Sequence, residues 1–323
     1  MARRIYDLVL KGQQVLIAGK KNSYLVDRVV KSSIFQAHIQ GTSTPVMIKT
    51  ERHPMMYKPE LDAHEFNCIR NSPYITSMYE AIDNGTDKCM VFEWLDHNLW
   101  SLRYQKRARN SALPKTAAKS VLQALTALSN MDGQGAGVHA DIYPHNIMVS
   151  DADSPSPTVK LGDLGNLIPA GSQLTYRLQG HAIRAPEIWM GRTISPACDV
   201  WALGVSLANF LAAKQLFGPS GFNLQLEQKA RKKMQIAYSI AKIIQLVGPI
   251  PWDIESRYTK EFDLANALLE KEFIKVRSLE TELSNMEVPE DCVEFIRYLL
   301  TLDPHERPTA EQALKHPWLH DTA

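Results

Sequence analysis

The sequence predicts an α+β chain arranged as two unequal lobes, a small β-rich one followed by a larger helical one. Three observations lead there. Residues 13–50 alternate short β-branched runs with polar breaks, the pattern of strands joined by turns. From residue 111 onward, apolar side chains recur at helical spacing instead. The chain has 323 residues, 45% of them hydrophobic, which supplies a core for one large bilobal unit.

In the small lobe, Val15-Leu16-Ile17-Ala18, Tyr24-Leu25-Val26 and Val46-Met47-Ile48-Lys49 read as strands, punctuated by Gly41 and Pro45. A short helix is expected over 60–70, closed by Asn71-Ser72-Pro73, and a further strand over 87–95. The seam falls just after this strand. The expected division is an N-terminal extension over 1–19, the small lobe over 20–95 and the large lobe over 96–320. Pro114 suits a helix first turn, and Ala117, Val121, Leu122, Leu125 and Leu128 follow at helical spacing. Residues 199–213 are apolar nearly all round, which predicts a helix in the middle of a core. Residues 235–246 and 289–301 are amphipathic, and Thr309 with Gln312 has capping-box spacing. Residues 151–157 (DADSPSP) read as a surface loop.

Charge and composition exclude several classes. Lys and Arg total 36 against 35 Asp and Glu, a net charge of +1, which argues against a nucleic-acid partner. The longest apolar stretch, Val200 to Ala213, is too short for a membrane span and contains Ser206 and Asn209. Asp7 and Lys11 interrupt any signal-peptide core. Cys68, Cys89, Cys198 and Cys292 form no C-x-x-C pair and read as free thiols of a reducing, intracellular compartment, cytoplasm or nucleus. The ten histidines show no zinc-ligand spacing.

Four segments carry chemistry through their order: VMIK (46–49), HADIYPHN (139–146), GDLGN (162–166) and RAPE (184–187). Together they resemble the ordered signature of the protein kinase superfamily: strand lysine, catalytic-loop aspartate and asparagine, metal-binding D-x-G, then A-P-E. DVWALG (199–204) is similar to the start of that family's central helix, LDPHERPTAEQALKHPWL (302–319) to its C-terminal end, and MVFEWLDHNL (90–99) to its hinge. IIQLVGPIP (243–251) resembles the CMGC group, and D-L-G-N with H-A-D its SR-protein-kinase-like and fungal members.

The resemblance implies a bilobal protein-kinase-like fold that uses ATP and Mg²⁺ and phosphorylates serine or threonine of a protein substrate. It also implies roles. Lys49 would hold the α- and β-phosphates, with Glu65 as its candidate partner; the other reading of Glu65 is a solvated helix residue. Asp141 would accept the substrate hydroxyl proton, and Asn146 and Asp163 would ligate Mg²⁺. Main-chain groups near Glu93 and Leu95 would hold adenine, behind Phe92 as gatekeeper. Arg307 would pair with Glu187.

Three departures bear on activity. The glycine-rich loop is missing: Asp27, Val29 and Ser32 stand at its glycine positions, where side chains hold backbone N–H groups off the phosphates and Asp27 would repel them. Tyr143 replaces the catalytic-loop lysine that neutralises γ-phosphate charge, a loss worth about 2–4 kcal/mol. Ala140 replaces the arginine that receives an activation-loop phosphate, so phosphorylation of Ser172, Thr175 or Tyr176 lacks its local partner. The alternative function is therefore a pseudokinase, a binding module with weak or no phosphotransfer.

Overall fold

The computed structural model describes residues 2–51, 54–83, 85, 88–173, 177–223, 225–251 and 259–320. Helix α1 (Ala2–Leu10) is followed by strands β1 (Val15–Ala18), β2 (Ser23–Lys31), β3 (Ile34–Ile39) and β4 (Pro45–Thr50). Helices α2 (Pro54–Ala63) and α3 (Asn67–Arg70) then precede β5 (Met78–Asp83) and β6 (Lys88–Glu93). The six strands form one antiparallel sheet ordered β1-β2-β3-β4-β6-β5. Its outer face buries Ile17, Tyr24, Phe35 and Val91, with Ile5 of α1 packed into the same core. Helix α2 packs on the inner face, where Tyr57 meets Met90 and Phe92.

Two expectations about this lobe are corrected. Residues 1–19 are no separate extension, because β1 pairs with β2 in the register Val15↔Val26 and α1 covers the sheet. The helix expected over 60–70 is the end of one helix and a separate turn. Phe66 is extended, and the Asp132 carboxylate accepts the N–H groups of Asn67 (2.6 Å) and Cys68 (3.0 Å), so the chain restarts at α3. A cap supplied from 65 residues away has no local signal.

The large lobe continues with β7 (His97–Asn98), α4 (Lys106–Arg109), α5 (Leu113–Leu128), β8 (Gly137–Val138), β9 (Ile147–Ser150), β10 (Thr158–Leu161) and β11 (Ile168–Pro169). Helices α6 (Pro186–Trp189), α7 (Ala197–Leu211), α8 (Gln228–Leu246), α9 (Thr259–Glu270), α10 (Leu279–Ser284), α11 (Glu290–Leu299) and α12 (Ala310–Ala313) complete it. As its all-round apolarity predicts, α7 is buried along nearly its whole length. The Thr309–Gln312 capping box forms with both of its hydrogen bonds. Arg307 lies beneath α7 and grips Glu187 with two bonds, 2.7 and 3.0 Å, while also donating to the carbonyls of Ala197 and Thr301. Both side chains are completely enclosed.

Candidate active site

The cleft between the lobes holds a cavity of about 270 Å³. Ile34, Met47 and Lys49 line it from the sheet, and Met148, Asn146 and Asp163 from the large lobe. The connecting segment closes its back, where Phe92, Glu93 and Leu95 all reach the cavity. The Glu93 carboxylate is turned away from a ligand: it accepts the Ser77 N–H at 2.6 Å and the Lys160 ammonium at 2.7 Å. Its role is that of a strut, and the Glu93 N–H is itself taken by the Ser77 carbonyl at 3.0 Å.

Lys49 reaches across the cleft. Its Nζ lies 2.6 Å from Glu60 Oε2 and 2.9 Å from Asp163 Oδ1. Glu65, expected as the partner, is a surface residue bound to Arg70 at 2.8 Å. The reason is phase. Because α2 starts at Pro54 and stops at Ala63, Glu60 falls on its inward face and Glu65 lies beyond its end. Burial opposes the charge on Lys49, but Glu60 and Asp163 outweigh it and hold the lysine above its ordinary value. Burial pushes Glu60 up to about 7 against the pull of Lys49. For Asp163, burial is outweighed by Lys49, and the carboxyl sits below the usual range.

The loop before β9 is built around its main chain. Asp199, at the start of α7, accepts the N–H groups of His139 (2.6 Å) and Ala140 (2.9 Å). Those bonds hold Ala140 at φ +65°, a left-handed conformation that costs a non-glycine residue about 1 kcal/mol or more. His139 is fully buried, and its Nδ1 accepts the Asp141 N–H at 3.2 Å, so the ring proton is on Nε2, 3.2 Å from the Gly162 carbonyl. Burial lowers its pKa to about 4, keeping it neutral. Asn146 donates its amide to the Asp141 carbonyl (2.9 Å) and carboxylate (3.0 Å), leaving its own Oδ1 for another partner. Burial and the neighbouring Asp163 raise Asp141. Asp163 too is left-handed, at φ +63°. Among these supporting groups, Glu60 and Asp199 escaped the sequence reading; the D-x-W-x-x-G motif was a signal for the latter.

The structure relocates one expected repulsion. Asp27 is held by the His38 ring at 2.7 Å, outside the cavity, whereas Lys31 lines it. Tyr143 stacks on His145 with ring centres 5.0 Å apart, and Trp100 packs against both. Thr175 and Tyr176 lie outside the described residues; Ser172 is half-buried and donates to the Pro169 carbonyl.

A lysine held by two carboxylates, sharing an interlobe cavity with an asparagine that is bonded to a further aspartate, is an arrangement that suits phosphoryl transfer. Residues 31–319 match the protein kinase domain family, and the chain belongs to that family. It is 30% identical over 262 residues to serine/threonine-protein kinase SSN3 of Candida albicans, covering 77% of this chain and 42% of that protein. It is 29% identical over 223 residues to homeodomain-interacting protein kinase 1 of Caenorhabditis elegans, covering 63% of this chain and 25% of the other. Both relatives fall in the CMGC group expected from the sequence. A crystal structure of a kinase domain shares the fold with TM-score 0.69 and 17% identity, over 93% of this chain and 96% of that one. The chain spans 42% to 60% of the length of the SSN3 relatives.

Proposed function

We propose that this chain is an ATP-dependent kinase that transfers the γ-phosphate to serine or threonine hydroxyls of a protein. One observation carries the reading: Lys49, already paired with Glu60 and Asp163, shares a single cavity with Asn146, which is bonded to Asp141. The names of the relatives, serine/threonine-protein kinases among them, support the choice of acceptor.

The residues divide the work. Main-chain groups of Glu93 and Leu95 hold the base, and Lys49, fixed by Glu60, holds the α- and β-phosphates. Asp141 aligns the acceptor hydroxyl and takes its proton as the oxygen attacks the γ-phosphorus and the bond from that phosphorus to the departing ADP breaks. The donor set fits Mg²⁺. Asn146 spends its amide nitrogen on Asp141 and so offers Oδ1, while Asp163 offers a carboxylate, and Mg²⁺ takes such oxygens together with phosphates and water. When bound, Mg²⁺ supplies neutralisation of phosphate charge. Asn146 also steadies the Asp141 carboxylate that receives the proton.

The setting we assign is intracellular, in keeping with four free cysteines. Among the described residues no helix is long and apolar enough to cross a membrane. The test is incubation with Mg²⁺, labelled ATP and a mixed protein substrate, beside Asp141→Asn and Asp163→Ala. The wild type should incorporate phosphate, and both variants should fall by about 10²–10⁴-fold. Absence of incorporation together with absence of Mg-ATP stabilisation in thermal shift would leave the binding-module reading instead.

A further inference from the structure

We propose that Lys31, on the hairpin that replaces the glycine-rich loop, supplies from above the phosphate-neutralising charge that Tyr143 no longer supplies from below. The inference rests on the kinase reading.

Strand register places Lys31 there. Lys31 pairs with Ile34, and Ile34 pairs with Lys49, so the three residues form one rung across β2, β3 and β4. Residues directly opposite in adjacent strands share a face, and all three line the cavity. Two strand spacings of ~4.8 Å set the lysine backbones roughly 10 Å apart, a separation on the scale of a triphosphate.

A defect in the strand is what turns Lys31 inward. Arg28 pairs with Gln36 and Val29 with Phe35, but Lys31 pairs with Ile34, so Val30 is an extra, bulged residue. Strict alternation from Arg28 would turn Lys31 to the opposite face, and the bulge restores it to the cleft. The hairpin end is also anchored: Thr50 donates both its N–H (2.9 Å) and its hydroxyl (3.2 Å) to the Ser33 carbonyl. Among the described residues no carboxylate lies within ion-pair distance of Lys31. Lys31 shares the cavity lining with His145 and Asn146, so it stands across the cleft from the loop that carries Asp141. At that loop the Tyr143 ring is stacked on His145 and carries no charge.

The test compares Lys31→Met, Lys31→Arg and the double variant Lys31→Met with Tyr143→Lys in the full chain. ATP and adenosine affinities are measured calorimetrically, and phosphate transfer in parallel. Lys31→Met should weaken ATP but not adenosine and lower kcat by about 10²-fold, as for loss of one transition-state donor. Lys31→Arg should retain most of the rate, and the double variant should recover it with the cation back on the catalytic loop. Wild-type kcat and an unchanged ATP-to-adenosine ratio in Lys31→Met would overturn the proposal while leaving the kinase reading standing. So would equal losses of ATP and adenosine that neither Arg nor the double variant restores. A wild-type protein that binds no ATP and transfers no phosphate would overturn both.

Discussion

Glu60 and Glu65 are separated by five positions and by their entire chemistry. One is buried against Lys49 at 2.6 Å; the other is a solvated partner of Arg70. Glu60→Gln should lower phosphate transfer at least about tenfold, equivalent to about 1.4 kcal/mol of positioning, while Glu65→Gln leaves it unchanged. Steady-state kinetics on the two variants checks this, and equal effects would restore Glu65 as the partner. Behind the same lysine, His64 is buried with its ring edge on Phe92, and burial and then Lys49 lower its pKa to about 4. Unfolded, the imidazole takes a proton near its ordinary 6.5, so the unfolded state binds more protons between pH 6.5 and 4 and stability falls as pH falls through that window. His64→Phe should remove this contribution. Denaturation across the window should show the wild type losing up to about 1.4 kcal/mol per pH unit more than the variant.

At the scale of elements, the large lobe was legible and the inner helix of the small lobe was not. Helix α7 could be read because a helix buried all round has no polar stripe, and DVWALG says so without help from its neighbours. Lys49, Asp141, Asn146 and Asp163 could be read because each sits in a short motif whose spacing survives. Helix α2 could not: PMMYKPELDA carries Pro59 in its middle, and Tyr57 and Leu61 pack on the sheet while the charged Glu60 turns to Lys49. The restart of the chain at α3 depends on Asp132, which no local pattern announces. The Val30 bulge is likewise a property of the pairing of two strands and not of either one. The joint between α6 and the segment after α11 was legible as a pair, Glu187 and Arg307. Because both are enclosed, Glu187→Ala leaves a buried guanidinium uncompensated and should cost about 3–5 kcal/mol, read as a fall in denaturation midpoint. A loss under 1 kcal/mol would mean the remaining carbonyl acceptors suffice.

On the scale of the whole molecule, the core on the outer face of the sheet and the core around α5 and α7 do not merge, and the lobes meet through a cleft. The sheet core holds the small lobe as one body, and the core around α5 and α7 holds the other. Almost all the chemistry belongs to side chains presented by one body to the other. Glu93 bears on how these bodies move. Its carboxylate binds Ser77 on one side and Lys160 of β10 on the other, while Thr76 donates its N–H to the Leu161 carbonyl beside it. The connection between lobes is thus pinned to the large lobe at its rear. A joint pinned behind and open in front turns like a door, so the lobes can part at the mouth while the rear edge stays nearly still. Lys160→Met removes the pin. Amide exchange in residues 90–96 should quicken in that variant, with the sheet itself unchanged; unaltered exchange there would show that the strand pairing alone carries the hinge.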